Sequence, residues 1–201
     1  SESADILSFT TCEFQNSLST CEYLLLQCGG GVLKVLDWET GKEGTISDEC
    51  TSFDAASKFL VYSTRSNVIH TVSLKRQEHE RSILSLEDIL MNSGPQSKTI
   101  PGRPIDRGSK IVKALSDQMR VVLQAPRGNL ECFIPRPMAV SQLQNKIRDQ
   151  DYRGAFKLCR EQRLDGDLIV SQDFDAKKFV NEVGHPTKLS IFVTQLSAVA
   201  L

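Results

Sequence analysis

The chain changes its hydrophobic period between residues 121 and 137, and that switch constrains its fold more than any other feature. Val121-Val122-Leu123-Gln124 reads as a strand, Pro126-Arg127-Gly128-Asn129 as a turn, and residues 130–134 as the return strand. Proline suits the first central position of such a turn, and Gly128 or Asn129 tolerates a positive φ. Beyond Pro135 the apolar residues recur at helical rather than alternate spacing, as Val140, Leu143 and Ile147. A sheet-building segment, residues 1–136, is therefore expected to meet a helix-stacking segment, residues 137–201, at one short corner.

The first segment repeats one plan. Cys21-Glu22-Tyr23-Leu24-Leu25-Leu26-Gln27-Cys28 is an apolar run of strand length, stopped by Gly29-Gly30-Gly31, and Val32-Leu33-Lys34-Val35-Leu36 follows. Asp37-Trp38-Glu39-Thr40-Gly41-Lys42 is a hairpin connection in which Asp37 opens the turn and Gly41 takes positive φ. Residues 58–63 and 67–74 form a second pair around Thr64-Arg65-Ser66, and residues 109–114 and 120–124 resume the pattern. Short strands and tight turns at this spacing predict a sandwich, a barrel or a propeller. Residues 75–82 read as a surface loop, 83–90 as either strand or short helix, and 91–102, with Asn92-Ser93-Gly94-Pro95, as a loop.

The second segment divides into helices by its caps. Pro137 suits a first helical turn. Asp151 is placed to cap a helix whose face is Tyr152, Ala155, Phe156 and Cys159, broken by Asp165-Gly166. Asp173 is expected to cap the next, with face Ala176, Phe179, Val180 and Val183, stopped by Gly184 and Pro186. Thr187 is expected to cap the last, with face Leu189, Phe192, Val193 and Leu196. Amphipathic helices in short succession predict an antiparallel stack. The absence of an initial Met and the apolar ending at 196–201 predict an internal piece of a longer polypeptide.

Composition narrows the function classes. No apolar run approaches the roughly 18 residues of a membrane span. Cys12, Cys21, Cys28, Cys50, Cys132 and Cys159 form no C-x-x-C pair, and His70, His79 and His185 have no partner at ligand spacing. Reduced, buried thiols are the expectation, with a metal site or a disulfide as alternatives. The net charge of −1 conceals an asymmetry. Residues 1–102 hold 8 basic and 14 acidic side chains, residues 103–163 hold 13 and 6, and residues 164–201 hold 3 and 5. The middle stretch could face RNA or an acidic partner, or simply present a solvated helix surface.

No constellation supplies nucleophile, base and orienting group, so an enzyme is not expected, and neither a cofactor nor a metal is implied. The Gly29–Gly31 triplet has no helix after it to hold a phosphate. Asp37 with Glu39, and Glu87 with Asp88, are carboxylate pairs that read as solvated, and His185 falls at a helix end where it could meet free carbonyls. What remains is surface. Arg127 and Asn129 lie on a tight turn, which serves either recognition or backbone geometry alone. Arg136, Lys146, Arg148, Arg153 and Lys157 flank the helical stripes and complete the set of candidate partner or RNA contacts.

Leu123-Gln124-Ala125-Pro126-Arg127-Gly128-Asn129-Leu130-Glu131 closely resembles a signature of the family of the largest Elongator subunit. Arg103-Pro104-Ile105-Asp106-Arg107-Gly108 is similar to the family's entry into its last propeller strands. Pro135-Arg136, Ile147, Tyr152, Ala155-Phe156, Cys159-Arg160 and Arg163-Leu164 follow in the family's order and spacing. The resemblance covers roughly residues 103–196. Pro137 stands where the family usually has Ala, and Ser171-Gln172-Asp173-Phe174 replaces its usual Asp-His-Asn-Pro.

The resemblance implies the end of a WD40-like β-propeller followed by the start of a TPR-like α-solenoid. It implies a non-catalytic scaffold supporting 5-carboxymethyl-type modification of tRNA wobble uridine, cytoplasmic and also nuclear. The implied partners are the catalytic radical-SAM/acetyltransferase-like subunit, a second propeller subunit and tRNA, with homodimerisation through C-terminal helices absent from this chain. The alternative is a propeller–solenoid coat or vesicle-trafficking scaffold, which shares the architecture.

Overall fold

The computed structural model describes residues 5–15, 20–56, 58–74, 85–91, 100, 102–170 and 174–196. The loops expected at 75–82 and 92–98, the proposed cap Asp173 and the apolar end at 197–201 lie outside them. The order is β then α, as expected: three antiparallel sheets, none closed into a barrel, and then helices. The chain divides into two compact units, Ser1–Phe133 and Ile134–Leu201.

The first unit begins with a meander of β1 (Ile6–Gln15), β2 (Thr20–Cys28), β3 (Leu33–Asp37) and β4 (Glu43–Ser47). Gly29–Gly31 is one turn of 3-10 helix between strands, with Gly30 and Gly31 at positive φ. Leu33 and Val35 point inward along β3, and Lys34 between them pairs with Glu43 on β4. The Asp37 turn forms as its residue types require. The carboxylate accepts the Glu39 and Thr40 N–H groups at 3.0 and 3.2 Å, and Gly41 has φ +67°. Burial opposes ionisation of Asp37, but bonds from Thr40 and Glu39 and the charge of Lys42 outweigh it and hold the carboxyl below its ordinary value.

A second meander follows, made of β5 (Cys50–Ala56), β6 (Phe59–Thr64), β7 (Val68–Ser73) and β8 (Gly102–Pro104). Every residue of β6 is buried, which explains its continuous apolar run. The ambiguous stretch before residue 90 resolves as helix α1 (Leu86–Met91). Ser85 Oγ accepts the Asp88 N–H and Asp88 Oδ2 accepts the Ser85 N–H, a reciprocal cap that starts this short helix. Leu86 and Ile89 join Leu25, Val35, Ile46, Leu60, Tyr62 and Val72 in one core shared by the first two sheets.

The third sheet has β9 (Lys110–Leu115), β10 (Arg120–Gln124) and β11 (Leu130–Phe133), in the order β11-β10-β9. β5 and β9 are both sheet edges, with backbone N–H groups left over. Side chains on β5 satisfy those on β9: Asp54 Oδ2 accepts the Ala114 N–H at 2.7 Å, and Ser52 Oγ accepts the Ile111 N–H at 2.8 Å. Asp54 also pairs with Lys113 at 3.0 Å.

The second unit contains α2 (Arg136–Arg148), α3 (Tyr152–Gln162), α4 (Ala176–Val183) and α5 (Pro186–Gln195). The face expected for α3 is buried throughout, and Asp151 caps it by accepting the Gly154 N–H at 2.8 Å. Aromatic rings of Tyr152, Phe156, Phe174, Phe179 and Phe192 meet mainly edge to face in the core.

Three boundary expectations and the apolar faces of two helices need correction. α3 ends at Arg163, which takes the left-handed conformation (φ 52°) so that Leu164 turns into the core, ahead of the expected Asp165-Gly166 break. Asp175, not Asp173, caps α4, because its carboxylate has the offset to reach the Lys178 N–H (3.0 Å). Gly184 ends α4 as expected (φ 63°), but Pro186 begins α5 rather than merely stopping α4, which puts His185 at the cap position and Thr187 inside the first turn. The apolar faces of α4 and α5 are narrower than expected. Ala176, Val180 and Val193 are exposed, while Phe179, Val183 and Phe192 carry the burial.

Candidate interaction surface

The hairpin between β10 and β11 builds its tip from backbone bonds. Ala125 N–H donates to the Asn129 carbonyl and Gly128 N–H to the Ala125 carbonyl, both at 2.9 Å. Of the two residues expected to tolerate positive φ, Gly128 takes it (+88°) and Asn129 does not. Asn129 donates from its side chain to Glu131 at 3.3 Å. Arg127 is exposed and meets no hydrogen-bond or ion-pair partner among the described residues, so the turn geometry leaves its charge available. Leu130 beside it is also exposed.

In the helical unit the candidate cations separate by role. Lys146 is a structural partner: its ammonium lies 2.8 Å from Asp151 Oδ2. The bond from Lys146 and that from the Gly154 N–H hold the Asp151 carboxyl below its ordinary value against a small burial effect. Arg136, at the start of α2, lies 3.3 Å from Asp165, with both side chains largely exposed. Arg148 is exposed at the end of α2 with no partner among the described residues.

Arg153 and Lys157 come together in an open groove of about 460 Å³, lined also by Phe156, Arg160, Glu161, Val183 and Lys188. Phe156 and Val183 are buried and form its floor, while the cations are exposed at its rim. Lys157 shares its charge with Glu161 at 3.7 Å, one helical turn on. Arg160 carries its guanidinium 6.0 Å from the Phe156 ring centroid. Of the five candidates in the helical unit, only Arg153 and Lys157 line the groove. The groove adds Arg160 and Lys188, which were not among them. Residues 153, 157 and 160 share one face of α3 by spacing alone, whereas Lys188 arrives from α5 through the fold.

The thiols depart from expectation at one place. Cys28, Cys50 and Cys159 are buried, but Cys132 on β11 is exposed. Burial pushes the Cys50 thiol up to about 12, and burial with the nearby Asp165 charge pushes Cys159 up to about 11. The side chains of Cys12 and Cys21 lie outside the described part. Among the described residues no cluster of three or more His, Cys, Asp or Glu side chains could hold a metal ion, and no helix is long and apolar enough to cross a membrane. Of the carboxylate pairs read as solvated, Asp37 and Asp88 serve local structure, the first in its turn and the second in the α1 cap.

No protein-family model matches the chain. Individual relatives do. Elongator complex protein 1 of Drosophila melanogaster is 33% identical over 158 residues, which cover 75% of this chain and 11% of that protein. The protein of the same name from Schizosaccharomyces pombe is 31% identical over 156 residues, 75% of this chain and 12% of its own length. The Arabidopsis thaliana protein is 32% identical over 160 residues, 68% and 12% respectively. The chain therefore spans about a tenth of the length of the curated relatives it matches. Since the similarity to insect, yeast and plant proteins extends well past the PRGNLE hairpin to most of its length, the chain belongs to the Elongator complex protein 1 family.

Proposed function

We propose that this chain is part of a non-catalytic scaffold subunit of the Elongator complex. The subunit supports 5-carboxymethyl-type modification of tRNA wobble uridine by holding the catalytic radical-SAM/acetyltransferase-like subunit. The observation that carries the reading is the family relationship over three quarters of the chain. In this reading residues 1–136 are the last blades of a WD40-like propeller, and residues 137–201 open a TPR-like solenoid.

Two features of the fold support that architecture. The first two sheets are four-stranded antiparallel meanders in chain order, the layout of propeller blades. The second and third sheets also join in a blade-like way, because β5, which opens one, lies beside β9, which opens the other. The helices that follow each bury one stripe against the next, as stacked repeats do.

The scaffold works in the cytoplasm and also the nucleus. It contacts a second propeller subunit and dimerises through helices C-terminal to this stretch. Arg127, Asn129, Arg136, Arg148, Arg153 and Lys157 contribute partner or tRNA contacts, with Lys146 acting through the α3 cap. The test is mass-spectrometric quantification of wobble-uridine modification in tRNA from cells lacking the parent gene. Loss of the carboxymethyl-type side chain is expected. Unchanged modification would overturn the reading in favour of a coat or trafficking scaffold.

A further inference from the structure

We propose that the groove over α3, α4 and α5 is a docking site for an acidic peptide segment with an apolar side chain at its centre. The argument is charge complementarity over an apolar floor. The lining holds four cations, Arg153, Lys157, Arg160 and Lys188, and one carboxylate, Glu161, which pairs with Lys157; the neighbouring Glu182 carboxylate accepts the Arg153 backbone N–H and pairs with Lys178. Arg153 and Lys188 have no side-chain ion pair or hydrogen bond among the described residues, and Arg160 meets only the Phe156 ring. The rim therefore carries an excess of positive charge directed at whatever fills the groove. Its volume of about 460 Å³ exceeds the needs of a single anion and falls within the roughly 300–1,000 Å³ of ligand sites.

The floor decides between the two polyanions that could answer this charge. Single-stranded RNA would be held by bases stacked on exposed aromatic rings. In the helical unit no described aromatic ring is exposed: Tyr152, Phe156, Phe179 and Phe192 are buried, and Phe174 is half-buried. A floor of Phe156 and Val183 beneath arginine and lysine side chains instead suits an apolar side chain flanked by carboxylates. That is the helix-surface equivalent of a hot spot with a polar rim. The proposal stands on the groove alone, independently of the Elongator reading.

The test measures fluorescence anisotropy of labelled probes with the full 201-residue chain at low salt. The first probe is a short peptide of Glu and Asp around a central Leu-Phe. The second is the same peptide with Leu-Phe replaced by Gly-Ser, and the third is a short oligouridine. The Leu-Phe peptide is expected to bind tightest. Arg153→Gln with Lys188→Gln is expected to weaken it about tenfold, as the loss of two half-screened charge pairs implies. Lys177→Gln, an exposed cation of the same unit outside the groove, is expected to leave it unchanged. Both substituted groove side chains are exposed, and far-UV circular dichroism verifies that the fold is kept. Protection of the 152–162 amides from hydrogen exchange on adding the peptide is an independent readout. Absence of saturable binding would overturn the proposal. So would equal binding of the Gly-Ser peptide, an equal effect of Lys177→Gln, or tighter binding of oligouridine through the same two cations.

Discussion

The start of α3 contains two opposed local effects, and substitution at two positions should separate them. Asp151 Oδ1 accepts the Gly154 N–H and Oδ2 accepts the Lys146 ammonium, each at 2.8 Å. Removing the carboxylate by Asp151→Ala deletes an N-cap worth about 1 kcal/mol. It also deletes a half-exposed ion pair worth at most about 0.5 kcal/mol after solvent screening. The expected loss is about 1.5 kcal/mol. Gly154→Ala taken alone should stabilise the helix by about 1 kcal/mol, since Gly is a poor helix former. The added Cβ, however, would fall on the Asp151 carboxylate and come within 2.7 Å of Lys146 Nζ. The carboxylate must then swing away, so the gain from propensity is offset by the lost cap.

Gly154→Ala is therefore expected to be slightly destabilising in the native background and stabilising by about 1 kcal/mol once Asp151 is already Ala. The double variant should be about as stable as Gly154→Ala alone, a coupling of about 1.5 kcal/mol between neighbours. The assay is urea unfolding of the 201-residue chain followed at 222 nm. Hydrogen exchange of the 152–158 amides supplements it, because two units need not unfold in one step. Additive effects, with Gly154→Ala stabilising by about 1 kcal/mol in both backgrounds, would refute the reasoning. They would show that the carboxylate can move without loss.

Four further outcomes follow from the same contacts. The folded Asp151 carboxyl is held below its ordinary value, so its contribution is complete above the unfolded value and disappears as pH falls through the folded one; Asp151→Asn should keep the cap but flatten this acid limb in a pH series of unfolding midpoints. Asp54→Ala should cost about 1–3 kcal/mol by stranding the buried Ala114 N–H, the exposed Lys113 pair adding little, and a loss under about 0.5 kcal/mol in urea titration would mean that β5 and β9 hold together without it. Tyr62 is fully buried and its hydroxyl finds no partner among the described side chains and backbone, so Tyr62→Phe should be neutral or stabilising; destabilisation by about 1 kcal/mol or more would reveal a hydrogen bond there. Maleimide labelling with peptide mapping should modify Cys132 well before Cys28, Cys50 or Cys159, and comparable rates at Cys50 would contradict its burial.

Where residues act on their near neighbours, the chain could be read closely. β10 spans the residues expected, Arg120–Gln124, because alternation and a proline–glycine turn act within a few residues. The α3 face and its Asp151 cap are likewise local. α1 could not be assigned, since six residues are too few to display a helical period; its one local signal was the Ser85–Asp88 offset of a capping box. The missed boundaries were settled by packing. Arg163 adopts a left-handed conformation with no glycine to announce it, because Leu164 is buried just beyond. The cap expected for α4 is Asp173. Asp175 caps it, and its N–H is held by the Tyr152 hydroxyl, 23 residues away, at 2.9 Å.

The surface follows the same rule. The Arg127 tip was visible as turn chemistry, and the 153, 157 and 160 stripe as spacing. Lys188 enters the groove only because Gly184 and Pro186 turn the chain so that α5 begins at the edge of α3 and α4. A helix containing Lys188 is expected from the sequence alone, but no local spacing relates it to the cations of α3. A proline–glycine pair between two apolar stripes thus sets more than helix length: by fixing where the second helix starts, it decides which charges share a surface.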